Sequence, residues 1–332
     1  MELKFLFYNI LLAASLFLAL LFSSSSASST SSNLSFNFYA TSCPAAEFMI
    51  RNTVRSASES DPTIPGKLLR LLFHDCMVEG CDGSVLLAGN GTERSDPANG
   101  SLGGFSVVES AKRVLEIFCP ETVSCADILA LAARDAVGFA GGPMIQVETG
   151  RRDGKVSSAS NVRSNMVDTN FSLDEMIQHF SSKGLSVDDL VVLSGAHTIG
   201  LAHCSSIRDR FQKDSKGKMT LIDKSLDQIY AAKLMQQCPA DASASVTIQN
   251  DPETSFMFDN QYYKNLLLRQ GLFQSDSVLF SDERTKKKVV EFSSSQDSFF
   301  QSWETSFVKL ASMGVKTGDE GEIRRSCQSI NG

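Results

Sequence analysis

An arginine and a histidine four residues apart, Arg70 and His74, are the side chains of this sequence best suited to acid–base chemistry. On a helix they would share one face, one turn apart, and the leucines and Phe73 around them indicate substantial burial. A lone Arg or His is more often an ordinary surface or core residue, but a buried guanidinium with no carboxylate at helical spacing needs some other partner. Cleavage of a peroxide O–O bond would use both groups: a neutral imidazole moves a proton between the oxygens, and a fixed cation stabilises developing negative charge. The cation should also disfavour protonation of His74.

The residues that follow this pair are rich in oxygen ligands. Side chains of Asp75, Asp82 and Ser84, with the carbonyls of Val78 and Gly80, could coordinate a hard cation such as calcium. The spacing differs from that of an EF-hand loop, so residue chemistry alone makes this a candidate cation site of moderate specificity.

Helical periodicity dominates the elements that must position these groups. The sequence predicts helices over 67–78, 122–139, 260–269 and 298–311. Two more helices are predicted, one that opens at the capping-box pattern of Ser172 and one that opens at Ser186. Strand signals are short, as at 144–147. We therefore predict a mostly α-helical fold with long loops at 88–102 and 155–170, and such loops are often functional or held by disulfides or metals.

Charge and the N-terminus limit the partners. The net charge is −7 with no long basic run, which argues against nucleic acid. A cationic start, an apolar stretch at 5–22 and small residues after it predict a secretory signal peptide at 1–27, followed by one domain at 28–332. A membrane anchor is the alternative, which Tyr8 and Asn9 within the stretch and the lack of a basic stop-transfer cluster disfavour.

Eight cysteines support export, because an even number in a secreted chain suggests four disulfides, whose pairing spacing alone does not give. A zinc site is disfavoured because neither CxxC nor HxxxH occurs. Sequons at Asn33, Asn90, Asn99 and Asn170 are compatible with glycosylation.

Ordered sequence blocks resemble the secretory plant peroxidases, the class III haem peroxidases. The blocks are RLLFHDCMVEGCDGSVLL from Arg70, TVSCADILALAARD from Thr122, DLVVLSGAHTIG from Asp189, FDNQYY from Phe258, GLFQSD from Gly271 and GEIRRSC from Gly321. The resemblance covers nearly all of 38–327. It implies a mostly α-helical two-lobe fold with one non-covalent haem b between the lobes, two calcium sites and four disulfides. It also implies reduction of hydrogen peroxide and oxidation of small phenolic donors in two one-electron steps, as in lignin-type phenol oxidation and the response to oxidative stress.

On the distal side of the haem, the resemblance assigns O–O cleavage to Arg70 and His74, with Phe73 contacting the cofactor. Asn99 would hydrogen-bond His74, so Asn99 should be buried and its sequon unused. Glu93 would link this network through water to the first calcium site, whose ligands fall on Asp75, Val78, Gly80, Asp82 and Ser84.

On the proximal side, His197 matches the family's iron ligand. The chain has four histidines, and no CxxCH motif indicates covalent haem attachment. Asp276 would accept a hydrogen bond from His197 and make it a stronger ligand. The second calcium site falls on Thr198, Asp251, Thr254, the carbonyl of Met257 and Asp259, so calcium should help to fix His197.

The resemblance also implies the disulfides Cys43–Cys119, Cys76–Cys81, Cys125–Cys327 and Cys204–Cys238, and a buried ion pair between Asp127 and Arg151. Asn250 stands where peroxidases that store an oxidising equivalent on a tryptophan have that residue. Met166-Val-Asp-Thr169 replaces the family's Leu-Pro-x-Pro, so the carbonyl of Val167 would face the aromatic donor without a proline ring to lock the backbone.

Two other classes of function remain to be compared. A peroxidase of the ascorbate or cytochrome type is disfavoured by the export signal, the eight cysteines and Asn250. A haem-bearing or disulfide-stapled binding protein without turnover would be expected to have lost Arg70, His74 or Asn99. This chain has all three residues, which disfavours that class. We expect a monomer, free of the membrane after signal cleavage, in the extracellular space or cell wall.

Overall fold

The computed structural model describes residues 34–332, which contain eleven α-helices and four short strands. The helices are α1 (Ala46–Ser60), α2 (Ile64–Val78), α3 (Phe105–Phe118), α4 (Cys125–Phe139), α5 (Leu173–Ser182), α6 (Val187–Ser194), α7 (Gln228–Gln237), α8 (Gln261–Leu267), α9 (Gln274–Ser281), α10 (Glu283–Ser294) and α11 (Gln296–Ala311). The strands are β1 (Leu201–His203), β2 (Phe211–Lys213), β3 (Met219–Leu221) and β4 (Thr247–Gln249). The prediction of a mostly α-helical fold is confirmed.

Local sequence signals set several helix starts. The predicted capping box forms at the start of α5, where Ser172 and Glu175 exchange side-chain and backbone hydrogen bonds. Ser186 and Asp189 form a second box at the start of α6. The hydroxyl of Ser124 accepts from the backbone N–H three residues on and starts α4 later than the predicted residue 122.

The first group of helices packs around α4. Its alanine-rich sequence is buried almost all round, and α1, α2 and α3 lie against it. Small alanine side chains allow this close approach on several faces at once. This packing places the apolar residues of α2, the helix that carries Arg70 and His74, in the core.

The second group consists of α5, α6 and α8–α11 and surrounds an aromatic cluster. Trp303 is buried with its ring centroid 4.7 Å from that of Phe258, and Tyr263 and Phe299 lie edge to face at 5.0 Å. Helix α11 packs on α6 and also on α2, so it joins the two groups. Trp303 is thus a packing residue of this aromatic cluster.

Two antiparallel pairs, β1 with β4 and β2 with β3, account for all the named strands in residues 34–332. The strand predicted at 144–147 is wrong. Buried and exposed side chains do alternate along this segment, because Ile145 and Val147 are buried while Met144 is exposed. However, no neighbouring strand pairs with the segment. Alternating burial is therefore not sufficient to indicate a sheet.

Covalent and ionic links join distant parts of the chain. The four disulfides pair as Cys43–Cys119, Cys76–Cys81, Cys125–Cys327 and Cys204–Cys238, which confirms the predicted pairing. The predicted ion pair is also present, with Arg151 Nη1 2.8 Å from Asp127 Oδ1 and both side chains buried. The predicted signal peptide at 1–27 lies outside the described residues. Within 34–332, no helix combines the length and apolarity that a membrane crossing requires.

Candidate active site

Helix α2 places Arg70 and His74 one turn apart, as the spacing predicted. His74 is buried, as predicted, whereas Arg70 is exposed, so the predicted burial of its guanidinium is wrong. The surrounding protein still desolvates the guanidinium and lowers its pKa. A side chain that is enclosed by protein and still accessible lines a crevice. The guanidinium donates to Ser101 Oγ (3.0 Å) and to the carbonyl of Ala98 (3.4 Å), both in the predicted loop 88–102.

The side-chain amide of Asn99 orients the His74 ring, and the hydrogen bonds of this amide fix its own orientation. Asn99 Nδ2 donates to the backbone carbonyl of Glu93 at 2.9 Å, so Asn99 Oδ1 must face His74 Nδ1, 2.7 Å away. An amide oxygen only accepts, so Nδ1 must carry the ring proton. The Nε2 atom then keeps its lone pair. Asn99 is buried, as predicted.

The charge state of His74 follows from its surroundings. Burial first and the charge of Arg70 second lower the pKa of His74 from 6.5 to about 3, while the hydrogen bond to Asn99 opposes the shift. The imidazole is therefore neutral near pH 7. The prediction that Arg70 disfavours protonation of His74 is confirmed.

A second histidine, His197, lies in a 3₁₀ turn (Gly195–Thr198) that follows α6. Its Nδ1 is 2.8 Å from Asp276 Oδ1, and 38% of its side chain is exposed. Among residues 34–332 we find no hydrogen-bond partner for His197 Nε2, so that atom is available to a ligand. The ring of Phe273 lies edge-on to the imidazole with centroids 5.1 Å apart.

The buried carboxylate of Asp276 has further partners. Its Oδ1 also accepts from the hydroxyl of Tyr262 at 2.9 Å, and its Oδ2 accepts from the backbone N–H of Phe273 at 2.9 Å. Burial, and after it the charge of Asp276, raises the pKa of Tyr262 well above its ordinary value, so the phenol stays protonated and donates.

The two histidine regions meet at a glycine contact. A Cβ on Gly66 of α2 would lie 2.7 Å from the Cα of Gly200, three residues after His197. Arg70 and His74 lie one and two helical turns along α2 from this contact, and eight residues span about 12 Å. The accessible Arg70, the neutral His74 and the unpartnered Nε2 of His197 fit a planar cofactor between the two sides. Phe73, whose ring is partly buried beside His74, contributes an apolar surface there.

Carboxylates gather at the predicted first calcium site. Burial, and after it the charges of Asp82 and Glu93, raises the pKa of Asp75, and burial raises the pKa of Glu93 to about 7. The hydroxyl of Ser84 and both carboxylate oxygens of Glu93 are buried with no hydrogen-bond partner in the described part of the chain. Lys316 Nζ lies 2.5 Å from Asp82 Oδ2. Crowded anionic oxygens and an unpartnered hydroxyl fit a divalent cation.

Carbonyl groups must complete that site. No three His, Cys, Asp or Glu side chains within 34–332 converge as metal ligands, so the oxygens of Ser84, Val78 and Gly80 would supply much of the coordination. Gly80 has φ +97°, and a Cβ there would lie within 2.8 Å of the Gly314 backbone. A side chain at Gly80 would therefore push the loop away from the C-terminal segment.

Hydrogen bonds join side chains that the resemblance assigns to the second calcium site. Thr198 Oγ1 donates to Asp259 Oδ1 at 3.0 Å, and Thr254 Oγ1 lies 3.2 Å from carboxylate oxygens of both Asp251 and Asp259. Met257 belongs to the same turn, its backbone N–H donating to the carbonyl of Thr254. Thr198 is adjacent to His197 in the chain, so this cluster and the histidine share one backbone segment.

Val167 lies half-buried in the predicted loop 155–170. Neighbouring residues hold its segment: the N–H of Met166 donates to the carbonyl of Val162, and the N–H of Ser275 in α9 donates to the carbonyl of Thr169. Asn250, at the end of β4, donates from Nδ2 to the carbonyl of Ile199 at 3.0 Å and so braces the backbone after His197.

Sequence reasoning assigned no role to Ser101, Tyr262 or Phe273. Tyr262 belongs to the FDNQYY block and Phe273 to the GLFQSD block, so both were within recognised segments. Ser101 contacts Arg70 across 31 positions of sequence, and no local pattern signals that contact.

Comparison with known proteins decides the family. The family model described as Peroxidase matches residues 50–295. Three relatives come from Arabidopsis thaliana. Peroxidase 46 is 64% identical over 307 residues, 92% of this chain and 94% of the relative. Peroxidase 18 is 63% identical over 319 residues, 96% and 95% of the two chains. Peroxidase 66 is 44% identical over 305 residues, 90% and 92%.

The chain belongs to the peroxidase family. Within it, the similarity to plant class III members confirms the group that the sequence blocks predicted. The protein is thus a peroxidase, an oxidoreductase of a haem-using family that acts on hydrogen peroxide and a donor substrate.

Proposed function

We propose that this peroxidase binds one haem b between His74 and His197 and cleaves hydrogen peroxide with Arg70 and His74, then oxidises small phenolic donors in two one-electron steps. The observation that carries the proposal is the anchored amide of Asn99. It leaves His74 with a proton on Nδ1 and a free lone pair on Nε2, which is the tautomer that a general base facing the crevice must have.

The protein's own groups would handle one proton and one developing charge. His74 Nε2 would take the proton from the peroxide oxygen that is nearer the iron. It would return this proton to the other oxygen, which leaves as water. Arg70 stays protonated and stabilises the negative charge that grows on the leaving oxygen. Bound haem supplies the electrons that break the O–O bond.

The opposite side would hold the cofactor. His197 would coordinate iron through Nε2, while Asp276 accepts a hydrogen bond from its Nδ1–H and fixes the ring. A carboxylate in this position raises the basicity of the ligand. Phe73 would contact the cofactor on the distal side.

Two calcium ions would stabilise the two halves of the site. The first is assigned to Asp75, Val78, Gly80, Asp82 and Ser84, with Glu93 linked through water. The second is assigned to Thr198, Asp251, Thr254, Met257 and Asp259. The buried and mutually repelling carboxylates of the first cluster and the converging oxygens of the second support these assignments.

Phenolic donors are assigned to the exposed edge of the crevice near Val167. We find no hydrogen bond to the Val167 carbonyl within residues 34–332, so that oxygen is free to accept from a phenol. Because valine does not fix φ as proline does, the carbonyl has more freedom than in relatives with Leu-Pro-x-Pro. Val167→Pro should therefore change KM among phenols more than it changes the peroxide step.

The protein is further proposed to be secreted as a monomer after removal of residues 1–27, to the extracellular space or cell wall. The eight cysteines, all paired in the structure, support an oxidising destination. N-terminal sequencing of the exported product tests the cleavage, and light scattering tests the monomer.

The function is tested by purifying the chain with haem and calcium and measuring peroxide-dependent oxidation of a phenol panel. We expect peroxide-dependent turnover of phenols, which His74→Leu slows by about 10²–10⁴-fold while haem stays bound. Turnover that is unimpaired in His74→Leu would remove the role assigned to that residue.

A further inference from the structure

One carboxylate oxygen of Asp276 accepts hydrogen bonds from two donors. Asp276 Oδ1 lies 2.8 Å from His197 Nδ1 and 2.9 Å from the hydroxyl of Tyr262. The other oxygen, Oδ2, is used by the backbone N–H of Phe273. Asp276 and Tyr262 are both buried. Water therefore does not replace either hydrogen bond to Asp276 Oδ1.

We propose that Tyr262 is a positioning residue that tunes His197 by sharing the Asp276 oxygen with it. This inference rests on the proposed role of His197 as the iron ligand. A carboxylate polarises the Nδ1–H bond of a ligand histidine and makes its Nε2 a stronger donor. A phenol on the same oxygen withdraws part of that negative charge. His197 is therefore held at a lower donor strength than Asp276 alone would give it.

The position of Tyr262 suits this role. The residue lies in α8, and its ring is edge-on to the imidazole of His197, with centroids 6.0 Å apart and planes at 81°. The ring thus packs beside the histidine while its hydroxyl reaches past it to the carboxylate. Helices α8 and α9 pack on each other and fix the distance between Tyr262 and Asp276.

The adjacent tyrosine provides a matched control. Tyr263 is equally buried and also donates from its hydroxyl, but to the backbone carbonyls of Val191 (3.0 Å) and Val192 (3.3 Å) rather than to Asp276. Tyr262→Phe and Tyr263→Phe each remove one buried phenol hydroxyl from the same helix. Only the first removes a donor from the oxygen that His197 uses.

The experiment measures the iron reduction potential and the iron–histidine stretching band of the ferrous holoenzyme. Tyr262→Phe should shift the potential to more negative values and the band to higher frequency, because Asp276 then polarises His197 alone. Tyr263→Phe should leave both unchanged. If Tyr262 merely held Asp276 in place, its loss would weaken the bond to His197 and move both quantities the other way.

A shift of opposite sign, no shift, or an equal shift in Tyr263→Phe would overturn the proposal. Should Tyr262→Phe fail to fold, 3-fluorotyrosine at position 262 retains the packing and strengthens the donor, so the potential should become more positive. An absent iron–histidine band would overturn the ligand role of His197 as well. A band that is present but unmoved in Tyr262→Phe overturns only the role of Tyr262.

Discussion

Replacing Asn99 by leucine separates the orientation of the base from its presence. In Asn99→Leu the imidazole of His74 remains, but the 2.7 Å hydrogen bond that requires its proton on Nδ1 is lost. A buried donor left without an acceptor costs about 1–3 kcal/mol. The ring can escape this cost by moving its proton to Nε2, the atom that must act as the base.

The expected loss of rate follows from that cost. Since about 1.4 kcal/mol corresponds to a factor of ten, the second-order rate constant for peroxide should fall by roughly 5- to 140-fold. The rate is measured by mixing the ferric holoenzyme with hydrogen peroxide in a stopped-flow instrument and following the Soret band. The loss should be smaller than in His74→Leu, which removes the base altogether.

Two further substitutions sharpen the test. Asn165→Leu removes another loop amide, whose donor bonds within residues 34–332 go to Asn161 and Ser164, and should leave the rate unchanged. Asn99→Asp keeps an acceptor but adds a negative charge, so it should raise the pKa of His74 and move the acid limb of the rate profile to higher pH. A peroxide rate in Asn99→Leu equal to that of the parent, with haem bound, would refute the orienting role of Asn99.

The remaining predictions concern the base, calcium and a disulfide. His74→Leu should retain the Soret band and slow the peroxide step by about 10²–10⁴-fold in stopped-flow mixing; a smaller loss would mean that another group is the base. The pKa of His74 is about 3 in the folded protein against an ordinary 6.5, so the peroxide rate should stay constant until the pH approaches the lower value. Because the unfolded chain takes up this proton first, the contribution of His74 to stability should be lost as pH falls from 6.5 towards 3; an acid limb of the rate near 6.5 would contradict both. Chelating calcium should lower the melting temperature, measured by calorimetry, and calcium but not magnesium should restore it. Cys125→Ala with Cys327→Ala should lower the free energy of unfolding by about 2–5 kcal/mol in denaturant titration, since that disulfide joins residues 202 positions apart.

Local sequence signals predicted the elements whose cause is local. The capping boxes at Ser172 and Ser186 placed α5 and α6 because the residues that form each box lie three positions apart. Helix α1 was missed. Its buried residues Ala46, Ile50 and Val54 form a stripe too narrow to dominate a largely polar segment.

Elements that depend on distant partners could not be read from the pattern. Strands β1 and β4 pair although about 45 residues separate them in the chain. Neither strand has enough alternation of apolar and polar residues to be predicted from the sequence. The segment 144–147 has the alternation but no partner. Strand pairing is a tertiary property, so short strands are the least predictable part of this fold.

The candidate site shows the same division. The spacing of Arg70 and His74 indicated a shared helical face, and the family resemblance supplied Asn99, His197 and Asp276 as candidates. The reason why the Asn99 amide has one orientation is the backbone carbonyl of Glu93, which no sequence pattern reports. The contact of Tyr262 with Asp276 likewise needs two helices packed together.

Peroxide activation by Arg70 and His74 is tested most directly by the absorption spectrum of the purified full chain reconstituted with haem and calcium. The spectrum is recorded before and after addition of hydrogen peroxide. We expect a ferric Soret band that changes rapidly with peroxide and returns when a phenol is added. We also expect His74→Leu to keep the ferric band but to lose the rapid change. A chain that shows no Soret band, or a His74→Leu variant that responds to peroxide as fast as the parent, would contradict the assignment of peroxide activation to this site.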